Sequence, residues 1–396
     1  MVRRKRVRPS SASLGLALSH KYDIDQTLSP HAAKNSDAKR PLGQLTPDAS
    51  RTDYERDHDR ILFSLAFRRL RHKTQVFYAP KNDHICTRME HSLQVASIAD
   101  TVCRNLRLNV DLASAIALGH DLGHAPFGHT GEEALSAISQ EQGLGPFMHE
   151  AHSLRVVDLM RELHGETLQL TYQVRDGIVC HCGERYDPVV EPDSSKNLLA
   201  VSAGAARSAR PFTLEGCVVR YVDRVAYLPV DLQDALELGI VKEKEIPKNV
   251  TRVLGRDSGE IIGRITDDMI SSSLDKPFVQ TSQEVFDCMK ELYEFSKTRI
   301  YNCDHLQEQK TRAQKVVHEL FEDLLRIYQN TARGRDPVQR RKHLQRAYQE
   351  FFRFADAMRY EDNVPPAQVV LDYVAGMTDN FALSSYQEIF LSIPMP

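Results

Sequence analysis

From Asp53 onward, apolar residues recur at helical spacing. Ile61, Leu62, Leu65, Phe67 and Leu70 form one such set, with Arg68, Arg69 and Arg71 interleaved. Val95, Ile98, Ala99, Val102 and Leu106 follow the i, i+3, i+4, i+7 rule of an amphipathic helix. The run Leu112 to Leu122 is apolar on nearly every side, which predicts a helix buried at the centre of the fold. Asp111 is its expected N-cap and Gly123 its expected end. Leu154, Val157, Met160 and Leu163 repeat the helical period, and Gly165 would stop that helix. Residues Glu215 to Gly239 read as one long helix that Pro229 interrupts and should kink. Glu191 to Pro211 is rich in Ser, Ala, Gly and Pro and is expected to be an exposed loop. A short strand or turn is expected within 252–268. Helices resume from Gln283, with a charged loop at Arg333 to Arg341. The pattern predicts a mostly α fold: a helical core over 49–245, then a mainly helical region over 246–396.

Residues 1–48 stand apart. The first 40 hold nine Lys or Arg against three Asp, five of the basic ones between Arg3 and Arg8. Such a segment is expected to be a flexible, solvated arm, or one that reaches single-stranded nucleic acid or a neighbouring subunit. Its start lacks the apolar stretch and cleavage signal of a secretory peptide. No run approaches the roughly 20 apolar residues that span a bilayer, so no membrane segment is expected. Seven cysteines, an odd number thinly spread, favour reduced thiols and a cytoplasmic location over a disulfide framework. A formal net charge of −3 excludes a protein that coats DNA through bulk charge.

Histidine changes the picture. Seven of the 16 lie between His84 and His152, mixed with carboxylates around the end of the apolar helix. A buried Asp beside a His without a partner would cost several kcal/mol, roughly, and a divalent cation relieves that cost. His120 and Asp121 form such a pair. With His91 from an earlier helix and Asp223 from a later one, they make four ligands inside a bundle. Imidazole and carboxylate donors suit Mn, Fe, Ni, Co or Zn, and Mg where water fills the remaining positions. His129 and Glu132 are three residues apart, so on a helix they share a face and the carboxylate can orient the imidazole. The alternative for that pair is an exposed helix contact of little energetic value.

The order His91 … His120-Asp121 … Asp223 resembles the signature of the HD-domain metal-dependent phosphohydrolases. The surrounding text is similar to the dGTPase-like deoxynucleotide triphosphohydrolases. It comprises Gly119-His120-Asp121-Leu122-Gly123-His124-Ala125-Pro126-Phe127-Gly128-His129-Thr130-Gly131-Glu132, the stretch from Phe67 to Phe77, Asp223-Arg224-Val225-Ala226-Tyr227, and Asp372 to Asp379. The resemblance spans roughly residues 50 to 392 and implies an HD helical bundle with a C-terminal helical extension.

It further implies metal-dependent attack of water at the α-phosphorus of a dNTP, releasing deoxynucleoside and inorganic triphosphate. His129 and Glu132 would be the catalytic pair, with His129 as general acid. Arg88 and His124 would face the phosphates, and His149 matches the histidine of a His-x-x-x-Ser stretch near them. Tyr227 would close on the sugar, Asp231 bind its 3′-hydroxyl, and Gln75 meet the sugar or base. Pro229-Val230 replaces the Asn-His of many relatives, and the residues around His152 also depart from their pattern. A homo-oligomer with an activating dNTP between subunits is part of the same implication. Cys180-His181-Cys182 lacks the second pair that a zinc finger needs, so Asp176 to His181 is read as a structural element near the site. Two other readings remain: an HD-type phosphodiesterase or nucleotide monophosphatase, and a nucleotide- or nucleic-acid-binding protein without turnover.

Overall fold

The computed structural model describes residues 23–41, 48, 50–77, 85–160, 166–182, 187–202, 209–331 and 345–391. The fold is mostly α. Around the site it comprises α1 (Asp53–Leu62), α2 (Leu65–Arg69), α3 (Arg88–Asn105), α4 (Val110–Gly119), α5 (Gly128–Glu141), α6 (His149–Leu159), α7 (Tyr172–Val179) and α8 (Leu214–Glu237). The chain continues through α9 (Lys248–Val253), α10 (Ser258–Ser273), α11 (Gln283–Ser296), α12 (Asp304–Asn330), α13 (Arg346–Met358), α14 (Pro366–Ala375) and α15 (Asp379–Tyr386). A two-stranded antiparallel pair, β1 (Val189–Val190) with β2 (Val279–Gln280), ties the segment after α7 to the one after α10.

Helix α4 is central, as its apolarity predicts. It packs against α1, α3, α7 and α8, and its residues from Leu112 to Gly119 are buried apart from Ser114. Its start differs from the expectation. Asn109, not Asp111, is the N-cap, its side chain accepting from the Leu112 backbone N–H. Asn109 also donates to Ala33 O and Asn35 Oδ1, so the cap is chosen by tertiary contacts that a local pattern does not contain. The helix ends at Gly119, which leaves His120 as its C-cap rather than extending to Leu122.

Other expectations are met in part. Of the strand or turn expected within 252–268 the structure shows the turn, Leu254 to Asp257, and α10 begins at Ser258 behind an Asp257 N-cap. The helix through Leu154 and Val157 ends at Leu159, where Met160 turns extended, while Leu163 and Gly165 lie outside the described residues. Helix α8 runs through Pro229 as one 24-residue helix. Residues 191–202 are mainly exposed, as a loop should be. The charged loop from Arg333 to Arg341 lies outside the described residues, as do residues 1–22 of the basic segment. Its continuation, 23–41, is seated on the core where a flexible arm is expected. Arg40 is buried, with ion pairs to Asp53 at 3.0 Å and Asp57 at 2.5 Å, and Ala33 N–H donates to Glu215. No helix among the described residues is long and apolar enough to cross a membrane.

Two apolar clusters flank the site. One joins α1, α3, α4, α7 and α8; the other joins Phe127, Leu135, Ile138 and Phe147 to α12, α13 and α14. Polar ties hold the turn between α4 and α5 to the C-terminal region. Buried Lys73 donates to the carbonyls of His124 and Ala375. Asp379 accepts from Thr74 Oγ1 at 2.6 Å and from Phe127 N–H at 2.9 Å. The turn that carries the histidines is therefore fixed from both sides.

Candidate active site and metal centre

Local structure places each donor. Thr87 caps α3 in a reciprocal box with Glu90, and Arg88 N–H donates to Lys73 O at 3.0 Å. Arg88 and His91 thus lie in the first turn, both buried. The turn after α4 is pinned by Ser153 of α6, which donates to His120 O at 2.7 Å and accepts from Gly123 N–H at 2.9 Å. A Cβ on Gly123 would lie 2.1 Å from Ser153 N, so only glycine allows this approach. Phe127 and Gly128 both have φ near +60° (60° and 59°), reversing the chain so that α5 starts at the lip of the site.

His91, His120 and Asp121 bring one ligand atom each within 4.8 Å of one another. Asp223 of α8 completes the set, its Oδ1 2.9 Å from His91 Nε2 and 3.8 Å from His120 Nε2. His120 Nε2 lies 3.6 Å from Asp121 Oδ2. His120 Nδ1 is committed to Ala117 O at 2.6 Å, which turns the Nε2 lone pair inward. Among the described residues that buried Nε2 has no hydrogen-bond partner, as a metal ligand requires. Burial opposes ionisation of both carboxylates. His120 and Arg88 outweigh it at Asp121, and His91 and His120 at Asp223, holding each well below the usual range. The donor set and the inward Nε2 fit a divalent cation.

The His129–Glu132 pair also forms. His129 Nδ1 is 3.2 Å from Glu132 Oε2, with the His129 side chain largely exposed and Glu132 buried. Glu132 does more than the sequence promised. Its Oε1 accepts from His149 N–H at 3.0 Å, satisfying the first turn of α6, and its Oε2 is 2.9 Å from His149 Nδ1. Burial opposes the Glu132 charge, but His149 and the bond from His129 outweigh it and hold the carboxyl far below its ordinary value. Burial likewise opposes a charged His149, and Glu132 reverses that, raising it well above the usual imidazole range.

Arg88 donates to Asp121 Oδ2 at 2.6 Å, while its buried Nε and Nη2 have no partner among the described residues. Both nitrogens of His124 are similarly unpartnered, and its ring stacks on His149 with centroids 4.5 Å apart. Burial, reinforced by Arg88 and His149, keeps His124 neutral. His152 lies apart from the cavity. Its Nδ1 bonds Gly123 O at 2.8 Å and its Nε2 faces Asp372 at 3.5 Å, so it props the turn from behind.

A cavity of about 450 Å³ is lined by Gln75, Arg88, His91, Asp121, His124, His129, Glu132, His149, Asp223 and Tyr227. Of the predicted site residues, His120 lies behind this wall, and Asp231 lines a neighbouring cavity of about 250 Å³. Asp231 accepts from Tyr301 at 2.8 Å, and its carboxyl is pushed up to about 7 by burial. Sequence reasoning missed Glu150, His181, Cys182, Arg224 and Tyr293, which also line the larger cavity, and Tyr301 and Lys310, which line the smaller. His181 and Cys182 could have been found in the Cys-His-Cys triplet. Tyr293, Tyr301 and Lys310 carry no motif and reach the site only through folding of the C-terminal region.

Comparison with known proteins agrees with this geometry. The HD domain matches residues 88–228, and a phosphohydrolase-associated domain matches 279–388. A deoxyguanosinetriphosphate triphosphohydrolase-like protein of Caldanaerobacter subterraneus subsp. tengcongensis is 38% identical over 367 residues, 93% of each chain. The Desulfatibacillum aliphaticivorans protein of the same name is 39% identical over 371 residues, 93% of this chain and 96% of that one. One from Clostridium tetani is 32% identical, covering 91% and 92%. HD domains bind divalent cations, and a divalent metal is the cofactor here. The helical bundle, the inward-facing ligands and these relatives together make this chain a member of the deoxyguanosinetriphosphate triphosphohydrolase-like family of HD-domain phosphohydrolases.

Proposed function

We propose that the chain hydrolyses deoxynucleoside triphosphates to deoxynucleoside and inorganic triphosphate, by attack of water at the α-phosphorus. One observation carries this reading. The two cavities share Gln75, His129, Tyr227 and Tyr293, yet one adds Arg88, Arg224, the buried histidines and Asp121 and Asp223, and the other adds Tyr301, Leu306 and Asp231, with Glu133 and Lys310 at its wall. A polyphosphate would suit the first and a sugar with its base the second, and His129, common to both, would then lie beside the bond that joins them.

A divalent metal on His91, His120, Asp121 and Asp223 would supply Lewis-acid polarisation of a phosphoryl oxygen. The two unpartnered Arg88 nitrogens are donors for phosphate oxygens. Neutral His124 offers an uncharged donor to the same group. His129 delivers a proton to the departing 5′-oxygen, and Glu132 holds its Nδ1 and stabilises the imidazolium before transfer. Its exposure lets solvent restore the proton. Tyr227 and Gln75 orient the sugar, and the free Asp231 Oδ1 accepts from the 3′-hydroxyl. The family reading adds a homo-oligomer, an activating dNTP at a subunit interface and a cytoplasmic location.

Incubating the protein with each of the four dNTPs, singly and mixed, and separating products by ion exchange tests this. Deoxynucleoside with inorganic triphosphate is the expected outcome, and activity only in the mixture would identify an activator. Release of monophosphate or diphosphate would instead favour a phosphodiesterase- or phosphatase-type HD enzyme.

A further inference from the structure

Beyond the residues proposed for the metal centre, a second group of three donors converges from two separate places in the chain. His149 comes from the first turn of α6, and His181 and Cys182 from the segment after α7. His149 Nε2 is 3.2 Å from His181 Nε2 and 3.3 Å from Cys182 Sγ, and all three ligand atoms lie within 4.8 Å of one another. Metal–nitrogen bonds of about 2.0 Å at a tetrahedral angle put two ligand nitrogens about 3.3 Å apart, and a thiolate slightly farther from each. The 3.2 and 3.3 Å separations are compatible with that spacing.

The tautomers strengthen the case. His181 Nδ1 is committed to Ile178 O at 2.6 Å, and His149 Nδ1 to Glu132 Oε2 at 2.9 Å. His181 therefore directs an Nε2 lone pair at His149, and His149, which Glu132 favours in its protonated form, presents an Nε2–H whose proton a cation can displace. At 3.2 Å the two nitrogens are close enough to share one proton, and a cation can take its place. One proton can serve one pair of these donors; a cation serves all three. A carboxylate holding Nδ1–H while Nε2 faces inward is also the arrangement that orients metal-bound histidines. Both histidines are buried and Cys182 is half-buried, so the group is shielded yet open on one side.

The neighbouring carboxylate links the two groups. Asp121 Oδ2 faces His120, and Asp121 Oδ1 lies 4.0 Å from His149 Nε2. The rings of His120 and His181 have centroids 4.9 Å apart. The geometry points to a second cation site on His149, His181 and Cys182, specific for a thiophilic divalent ion of the zinc class and adjoining the first across Asp121. Three protein ligands leave a fourth position for water or a phosphate oxygen, the pattern of a catalytic rather than a purely structural ion. The Cys-His-Cys triplet thus needs no second sequence pair, because its third ligand arrives from α6. Cys180 takes no part: its thiol faces Asp176 at 3.8 Å and Lys196 at 3.4 Å.

The test is cobalt titration of the chelator-stripped, reduced full-length protein without oxygen. Two Co²⁺ per chain are expected, one giving a thiolate-to-cobalt charge-transfer band in the near ultraviolet. Cys182→Ser, nearly isosteric, should lose the band and one ion while keeping the other; His181→Gln should do the same. His120→Ala should keep the band and lose the other ion. One cobalt per chain without the band, or a band that survives Cys182→Ser, would overturn the assignment. The cobalt count needs no substrate, so failure of dNTP hydrolysis and failure of this site are read separately.

Discussion

The two ends of the site were built differently. At the metal-facing end, donors sit at fixed points of local structure: the first turn of α3, the C-cap of α4, the lip of α5 and one face of α8. At the tyrosine-lined end, Tyr293, Tyr301 and Lys310 come from α11, the turn after it and α12, and meet Asp231 only once the C-terminal region has folded onto the core. An end that must hold a cation needs a few donors in rigid positions, and short motifs write those. An end that must enclose an uncharged, variable group can be assembled from side chains scattered along the chain. Damage at the first end should therefore abolish turnover, and damage at the second should change recognition.

The largest effect is expected at the metal ligands. His120→Ala, Asp121→Ala or Asp223→Ala should lower dNTP hydrolysis by on the order of a thousandfold or more, because Lewis-acid stabilisation is worth several kcal/mol. Chelation should do the same to the unaltered protein, with recovery on adding a divalent metal; activity that persists in steady-state assays would break the distinction. Next comes the acid pair. His129→Ala and Glu132→Gln should reduce kcat by about 10² to 10⁴ while KM and metal content change little. Glu132→Gln should be the more harmful to folding, since its carboxylate also holds the start of α6.

A smaller effect is expected at the other end. Asp231→Asn should raise KM for dNTPs roughly tenfold, the value of about one lost hydrogen bond, with metal content unchanged. A 3′-deoxy substrate should not distinguish the variant from the parent; if it does, Asp231 has another role.

The same substitution carries a pH signature. Asp231 titrates near 7 folded and near 3.8 as a free carboxyl. Between those values the folded chain keeps a proton that the unfolded chain has lost, so this group makes stability fall as pH rises through the window. Asn has no such dependence. Thermal unfolding should show Asp231→Asn gaining on the parent from pH 4 to pH 8, by on the order of a few kcal/mol at most. An unchanged gap would mean that the buried carboxyl is already ionised.

What could be read from the sequence follows the same division. The convergence of His91, His120, Asp121 and Asp223 was legible because each belongs to a short motif, and the contact of His129 with Glu132 because helical spacing alone puts them on one face. The central position of α4 followed from its apolarity. Its cap did not, since Asn109 was selected by contacts with Ala33 and Asn35, more than 70 residues away in the chain. The second role of Glu132 was hidden for the same reason: its partner on α6 is 17 residues on. Cys182 was visible but discounted, because the ligand that completes its set is not its neighbour in sequence. Tyr293 and Tyr301 had no signal of their own.

The central claim, that water attacks the α-phosphorus, is tested most directly by running the reaction in ¹⁸O-labelled water and weighing both products. One ¹⁸O is expected in the inorganic triphosphate and none in the deoxynucleoside. Label in the deoxynucleoside, or release of a nucleotide with labelled orthophosphate or pyrophosphate, would contradict it.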